Sequence, residues 1–481
     1  MRIAAVSVAP LFPDYVVGGS QKILTDIAGG LKLSGHDIRI WCTGTDRHDG
    51  TFELEGVPVH PELRLRGTFP ATHQVSPTAL ARTADMLRTA TDWADRVYLH
   101  ADAVYLRHAL EGAAIVRSIH DFTYEEALLS ALTLPADATI VPSDYLKRCI
   151  EVTVALLGKN TVEPVVAIPN GIPLPETAPE PVLPPGIEPR GENDLVLLFP
   201  HRPEPTKGVR EAMQTAVEVQ RLEPTRNARL LMPAYPAGIE LDDATGSAQE
   251  IWQVARSVGA EELVELHGWL GPADMPGYYA AGDVTLCIGS FIESFGLVPV
   301  ESVVNGTPAV CSRVGALRDF APIDGITLVP YGQISTAADA TQAAVAHAGE
   351  DTGHTPSRNK AGTAQKALAA GRVQIASRFS FDLMISRYES VITGPLAARR
   401  SVRVDNAGWL ELTPWCDIQG DHIYDDYAAS SHPLTQVISA LEAGRGRIKA
   451  ESIMATGNTG LAGEIEEARS TGILVPRFVI E

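Results

Sequence analysis

The chain has 481 residues, 45% of them hydrophobic and 20% charged, so it folds around more than one core and does not belong to the disordered class. Its 39 Lys and Arg against 59 Asp and Glu leave a net charge of −20, which excludes general attraction to nucleic acid or anionic lipid, so any bound anion needs a locally basic pocket. Five cysteines that form no CxxC pair and lie far apart suit reduced thiols in a cytoplasm better than a disulfide framework.

The opening MRIAAVSVAP lacks the length and cleavage pattern of a signal peptide, and no run of about 18 apolar residues follows. A cytoplasmic protein without a transmembrane segment is expected. RIAAVSVAPL is of strand length, and Pro13, the pair Gly18-Gly19 and a helically spaced segment come after it. IRIWCTG, VYLHAD, AIVRSIHDF and ATIVPS repeat the motif of short apolar runs ending in polar residues. Strands alternating with helices predict a parallel sheet whose sites gather at its carboxyl edge. His120 and Asp121 have that address, and His100 has a similar one. A satisfied structural histidine is the competing reading for either.

Residues 169–192 are too rich in proline for a continuous helix or central strand and are expected to link two domains. LVLLFPHRPEPTKG restarts the strand-and-loop pattern, and LLMPAY, LVELHGWL, DVTLCIGS and TPAVCSRVG extend it. Arg202 and Lys207, five positions apart on one loop, could neutralise a diphosphate; a salt-bridged surface loop is the alternative. ESFGLVPVE then sets Glu293 and Glu301 around Gly296 and Pro299, with a helix predicted over 297–305 and stopped at Asn305-Gly306. Its free amides and positive dipole end suit an anion, and a carboxylate just inside suits sugar hydroxyls. Together these point to a nucleotide sugar; dipole complementarity and a solvated loop acid are the plainer explanations. Gly18-Gly19 would let backbone approach a phosphate, but the turn is not GxGxxG, which weakens a dinucleotide oxidoreductase.

In chain order, GGSQ at 18, SIHDF at 118, VPSDYLKRCI at 141, AIPNGI at 167, HRPEPTKG at 201, LHGWL at 266 and ESFGLVPVESVVNGTPAV at 293 resemble the GT-B glycosyltransferases of family four. The resemblance covers roughly 1–394 and implies an α/β fold of two Rossmann-like domains with a cleft between them; beyond it, the tail's own pattern reads as a small C-terminal α+β module. The expected division is an acceptor domain at 1–168, a linker at 169–192, a nucleotide-sugar domain at 193–379, a closing helix at 380–394 that returns to the first domain, and an accessory module at 395–481.

The resemblance implies catalytic roles for His120, Glu293, Arg202 and Lys207. Donor contacts would come from Gly18, Gly19, Arg202, Lys207, His267, Gly268, Trp269, Glu293, Glu301 and the backbone of Phe295, Gly296, Leu297 and Val298. It implies retaining transfer of a hexose-type sugar from a nucleotide-diphosphate sugar, with no cofactor or metal and no enzymic nucleophile. The paired glutamates are therefore not read as a glycosidase acid and nucleophile. A noncatalytic nucleotide-sugar sensor is the alternative, and a phosphorylase lacks a clear pyridoxal-phosphate lysine motif.

The proline-rich linker, a polar stretch at 351–372 and the tail beyond 395 depart from the family pattern. The tail resembles small winged-helix-like peptide-binding modules, read as three strands followed by three helices, on GDHIYDDYA and STGILVP. That implies recruitment of a peptide or natural-product acceptor; a brace or a homodimer contact is the alternative. With 6 basic and 12 acidic residues over 401–481, DNA is not the expected partner.

Overall fold

The computed structural model describes residues 1–13, 19–45, 50–65, 76–101, 110, 112–134, 136–234, 247–348, 361–449 and 458–481. The chain divides into two compact units. The first takes Met1–Gly171, Phe381–Tyr427 and Ser431–Glu481, and the second takes Ile172–Ser380 with Ala428–Ser430.

The first unit is built on an eight-stranded sheet in the order 52–54, 57–63, 37–43, 2–7, 96–100, 115–118, 138–141, 165–167, parallel except where Phe52–Leu54 meets Val57–Leu63. Strands such as Arg96–His100 and Ala138–Val141 are buried along their whole length, as a sheet covered on both faces requires. The chain leaves Arg2–Ser7 on one side and reaches Arg96–His100 on the other, so the strand order reverses between these two neighbours. In open parallel sheets, ligands collect at such a reversal. Helix Phe381–Thr393 buries Met384, Ile385, Tyr388 and Ile392 in the core shared with Ile23, Ile27 and Tyr98.

The second unit carries six parallel strands in the order 264–267, 227–233, 194–198, 284–287, 309–312, 326–329. Its order reverses between Asp194–Leu198 and Val284–Cys287. Of the segment expected to link the domains, 169–192, residues 172–192 lie within this unit. Their prolines deny regular pairing, yet Val182 N–H donates to the Gly277 carbonyl at 2.9 Å, and Leu183 and Ile187 pack against Val196 and Tyr278. Of the polar stretch at 351–372, residues 351–360 fall outside the described residues, and the rest belong to helix Ala361–Phe379.

The tail differs from the expected three strands followed by three helices. Strands 400–404, 409–412, 416–419, 422–425 and 430–432 precede helix Thr435–Ala443; strand Arg447–Lys449, helix Thr459–Ser470 and strands Leu474–Pro476 and Phe478–Ile480 come after it. Turns at Gly408, Gly420, Gly446 and Gly472, all at positive φ, cut the segment into strands of three to five residues, too short for their alternation to be read reliably. Arg400–Val404 pairs antiparallel with both Thr161–Val162 and Phe478–Ile480, so the tail shares a sheet with the rest of its unit.

Candidate functional site

HRPEPTKG leaves strand Asp194–Leu198 and ESFGLVPVE comes after strand Val284–Cys287, the two central neighbours between which the strand order reverses. Sheet topology therefore brings the two loops together at the carboxyl edge of the second unit. The contact is made of backbone: Phe291 N–H donates to the Thr206 carbonyl at 2.8 Å, and a Cβ on Gly208 would stand 2.6 Å from Gly289 N. A Cβ on Gly289 would overlap the carbonyl groups of Thr206 and Lys207. Glycine is needed at both positions because two backbones occupy the space.

Lys207 Nζ lies 2.7 Å from Glu293 Oε1 and 3.4 Å from the centroid of the Phe291 ring, so a cation–π contact and a charge-assisted hydrogen bond fix the ammonium. Burial alone would raise the Glu293 carboxyl, but attraction from Lys207, then His201 and Arg202, outweighs it and holds the group below the usual carboxylate range. His201 shows the opposite response: burial, then Lys207, lower its imidazole to about 4, so it is neutral at pH 7. Its Nε2 is buried without a hydrogen-bond partner among the described residues. Arg202 is half exposed and paired with Glu204 at 3.2 Å.

The structure thus gathers Lys207, Glu293 and His201, with Arg202 near enough to act on Glu293. Sequence reasoning missed His201 and Phe291. Their only signal was adjacency to the two loops, because a histidine following an apolar strand usually reads as structural.

Gly296, at φ 86°, starts helix Leu297–Val304, and no side chain caps that end. Phe295 packs edge-on against Phe320 and Phe379, and Leu297 and Val298 are partly buried beside the same core, so their side chains face inward. Only their amides are suited to face a ligand. The loop before them is pinned by the Ala316 N–H, which donates to the Glu293 carbonyl at 2.8 Å. On the helix, Glu301 Oε2 accepts from the Tyr279 hydroxyl at 3.0 Å.

His267 ends strand Val264–His267, buried, with its Nδ1 2.8 Å from the Gly268 carbonyl, and burial lowers its imidazole. Gly268 is exposed beside it, and Trp269 is half exposed. Both lie at the same carboxyl edge, one strand beyond Asn227–Pro233.

In the first unit, Gly18 lies outside the described residues, and Gly19 opens helix Gly19–Leu33 with nothing within 4 Å of where a Cβ would stand. His120 is buried after strand Ile115–Ser118, its Nε2 3.0 Å from Ser118 Oγ. Burial lowers its imidazole to about 4. Its ring lies 4.4 Å from that of His100, centroid to centroid, the two planes tilted by 38°.

Two family models match the chain: the one described as glycosyl transferases group 1 over residues 195–347, and glycosyltransferase family 4 over 17–175. The D-inositol 3-phosphate glycosyltransferase 2 of Catenulispora acidiphila is 30% identical over 209 residues, 41% of this chain, and the chain spans about half of that relative (47%). The D-inositol 3-phosphate glycosyltransferase of Kineococcus radiotolerans is 27% identical over 361 residues, covering 67% of this chain and 80% of that protein. Among solved structures, the sucrose-phosphate synthase of Thermosynechococcus elongatus aligns at TM-score 0.63 with 18% identity, over 81% of this chain and 97% of that one. Anabaena Alr3699/HepE in complex with UDP-glucose aligns at 0.58 with 18% identity, over 82% and 99%. These matches establish the α/β GT-B fold and support membership of the group 1 glycosyltransferases. No helix among the described residues is long and apolar enough to cross a membrane.

Proposed function

We propose that this chain, a GT-B protein whose two units match group 1 and family 4 glycosyltransferase models, is a retaining transferase that moves a hexose-type sugar from a nucleotide-diphosphate sugar to an acceptor hydroxyl. The observation that carries the reading is the Lys207–Glu293 pair beside an uncapped helix end, where the strand order of the second unit reverses. Fixed positive charge there meets the charge that develops on a departing diphosphate.

In the reaction, the bond from the anomeric carbon to the diphosphate oxygen breaks while the acceptor oxygen bonds to that carbon on the same face. The acceptor's proton passes to a leaving phosphate oxygen, so no enzymic nucleophile is consumed. Lys207, Arg202 and the amides of residues 295–298 hold the diphosphate, and the reaction as written needs no metal. Glu293 keeps the ammonium in place and accepts from a sugar hydroxyl. Glu301 accepts from the ribose, Gly268 and Trp269 flank the base beside His267, and His120 donates to the sugar.

The acceptor is a small-molecule or peptide hydroxyl recruited on the first unit, into whose sheet structure the C-terminal segment is paired. The names of the relatives make a polyol phosphate the first acceptor to try. Titration calorimetry with UDP-glucose, GDP-mannose and dTDP-glucose tests the donor half. One of them binds the wild type, and binding weakens at least tenfold in Arg202→Ala; equal affinity in the two removes Arg202 from the diphosphate site.

A further inference from the structure

The C-terminal segment takes no step in the reaction written above, yet one part of it lies where the first unit keeps His120. Strands His422–Asp425 and Ser430–His432 are neighbours in the sheet that Cys416–Gln419 completes, and residues 426–429 form the turn between them. A hairpin tip is ordinarily exposed and loosely held. Here Asp426 is only 3% exposed, and Asp425 before it is buried as well. A carboxylate is buried at a cost unless donors meet it, and the Tyr145 hydroxyl meets Asp426 Oδ2 at 3.0 Å across 281 positions. The next residue reaches the same unit by a second route: the Tyr427 hydroxyl donates to the Phe122 carbonyl at 3.2 Å across 305 positions. Direction is unambiguous in both bonds, because a carboxylate and a carbonyl oxygen accept and each tyrosine must donate.

Both anchors stand at strand ends of the first sheet. Phe122 is two residues after His120, in the segment that leaves strand Ile115–Ser118, and Tyr145 is in the first turn of helix Asp144–Leu156, which follows strand Ala138–Val141. These strands pair in parallel with Ser118 opposite Ile140, so the two segments emerge side by side at one carboxyl edge. The tip is also fixed from its own side. Tyr427 N–H donates to Asp425 Oδ1 at 2.9 Å, Asp426 N–H donates to the Trp415 carbonyl at 3.0 Å, and the Trp415 ring meets that of Tyr427 edge-on with 6.1 Å between centroids. Side chains locked in this way fix the position of what they touch.

We propose that Tyr427 and Asp426 are positioning residues: the hairpin tip braces residues 120–122 against the start of helix Asp144–Leu156 and so holds His120 in the place from which it acts. The bearing of the brace on turnover rests on the transferase reading above; the brace itself does not. Turnover thereby depends on a segment at the far end of the chain.

Tyr427 keeps 41% of its surface exposed, so Tyr427→Phe removes one hydroxyl and opens no core. Hydrogen exchange read by mass spectrometry is followed in the full-length wild type, Tyr427→Phe and Arg403→Ala, alongside hydrolysis of UDP-glucose. Arg403 pairs with Glu481 in a different sheet of the same segment and serves as the control. In Tyr427→Phe, exchange over 119–124 rises about fivefold, the size of one neutral hydrogen bond, while strand Arg2–Ser7 keeps its protection. The kcat for UDP-glucose falls by a similar factor at unchanged KM, because the loss is in the placement of His120 and not in nucleotide binding. Arg403→Ala matches the wild type in both measurements. Wild-type exchange over 119–124 in a folded Tyr427→Phe protein overturns the brace, and so does a rise shared equally by Arg2–Ser7, which is general loosening. A local rise with kcat unaltered in an active enzyme overturns the positioning role. If the wild type turns over no UDP-glucose while exchange behaves as stated, the brace stands and the transferase reading is what loses support.

Discussion

Replacing Lys207 by methionine removes the ammonium and keeps most of the stem that covers Phe291. Glu293 is then left at a site where its own side chain is 22% exposed and that of Lys207 is 11% exposed. Breaking a buried pair from one side costs ~3–5 kcal/mol, and partial exposure places this one at the low end, about 2–3 kcal/mol at pH 7. For a unit of this size that lowers the melting temperature by about 5–10 °C.

The sign with pH separates this mechanism from simple loss of packing. In the wild type the Glu293 carboxyl is depressed, so its contribution is present above the unfolded carboxylate range and is lost as pH falls through the folded value. In Lys207→Met, burial dominates and raises the carboxyl, so the variant is favoured by acid and loses stability as pH rises through the raised value. The melting deficit is therefore largest at pH 7–8 and narrows towards pH 5. Differential scanning fluorimetry of both proteins across that range reads it. A deficit of equal size at pH 5 and pH 8 refutes the electrostatic account of the pair. The same variant loses ~10²–10³ in kcat if the ammonium serves the leaving group.

Gly289→Ala pushes on the carbonyl groups of Thr206 and Lys207, so nucleotide-sugar binding by calorimetry weakens at least tenfold in a protein that still melts cooperatively. Glu301→Gln keeps an acceptor for the Tyr279 hydroxyl but gives up the charge, and KM for the donor rises about tenfold with little change in kcat. Removing 400–481 takes away the partner strand of Thr161–Val162 and the Asp426 carboxylate that accepts from the Tyr145 hydroxyl at 3.0 Å. The truncated chain therefore aggregates on size-exclusion chromatography, whereas an independent module would leave a monodisperse remainder.

Local chemistry was legible in the sequence; long-range pairing was not. Helix Leu297–Val304 was readable because Gly296 precedes it, Pro299 suits its first turn and Asn305-Gly306 ends it, all within eleven residues. That Lys207 meets Glu293 across 86 positions depends on the strand order, which periodicity does not give. Phe295 illustrates the same limit from the other side: Ser294 and Gly296 flank it, while its packing partners Phe320 and Phe379 lie far along the chain. The alternation of parallel strands was clear from apolar runs ending in polar residues. The tail was not, because its strands are short and the partner of its first strand lies more than 200 residues upstream. Residues 172–192 look like free linker by composition, and only Val182, Leu183 and Ile187 hint that they have a surface to lie on.

The central claim is that the cation held by Glu293 and the open end of helix Leu297–Val304 receive a nucleotide's diphosphate. A crystal of this protein grown with UDP measures that directly. The account predicts a phosphate oxygen within about 3 Å of Lys207 Nζ and of an amide at residues 295–298, with the ribose against Glu301. Nucleotide bound elsewhere, with Lys207 still closed on Glu293 and no phosphate at the helix end, contradicts it.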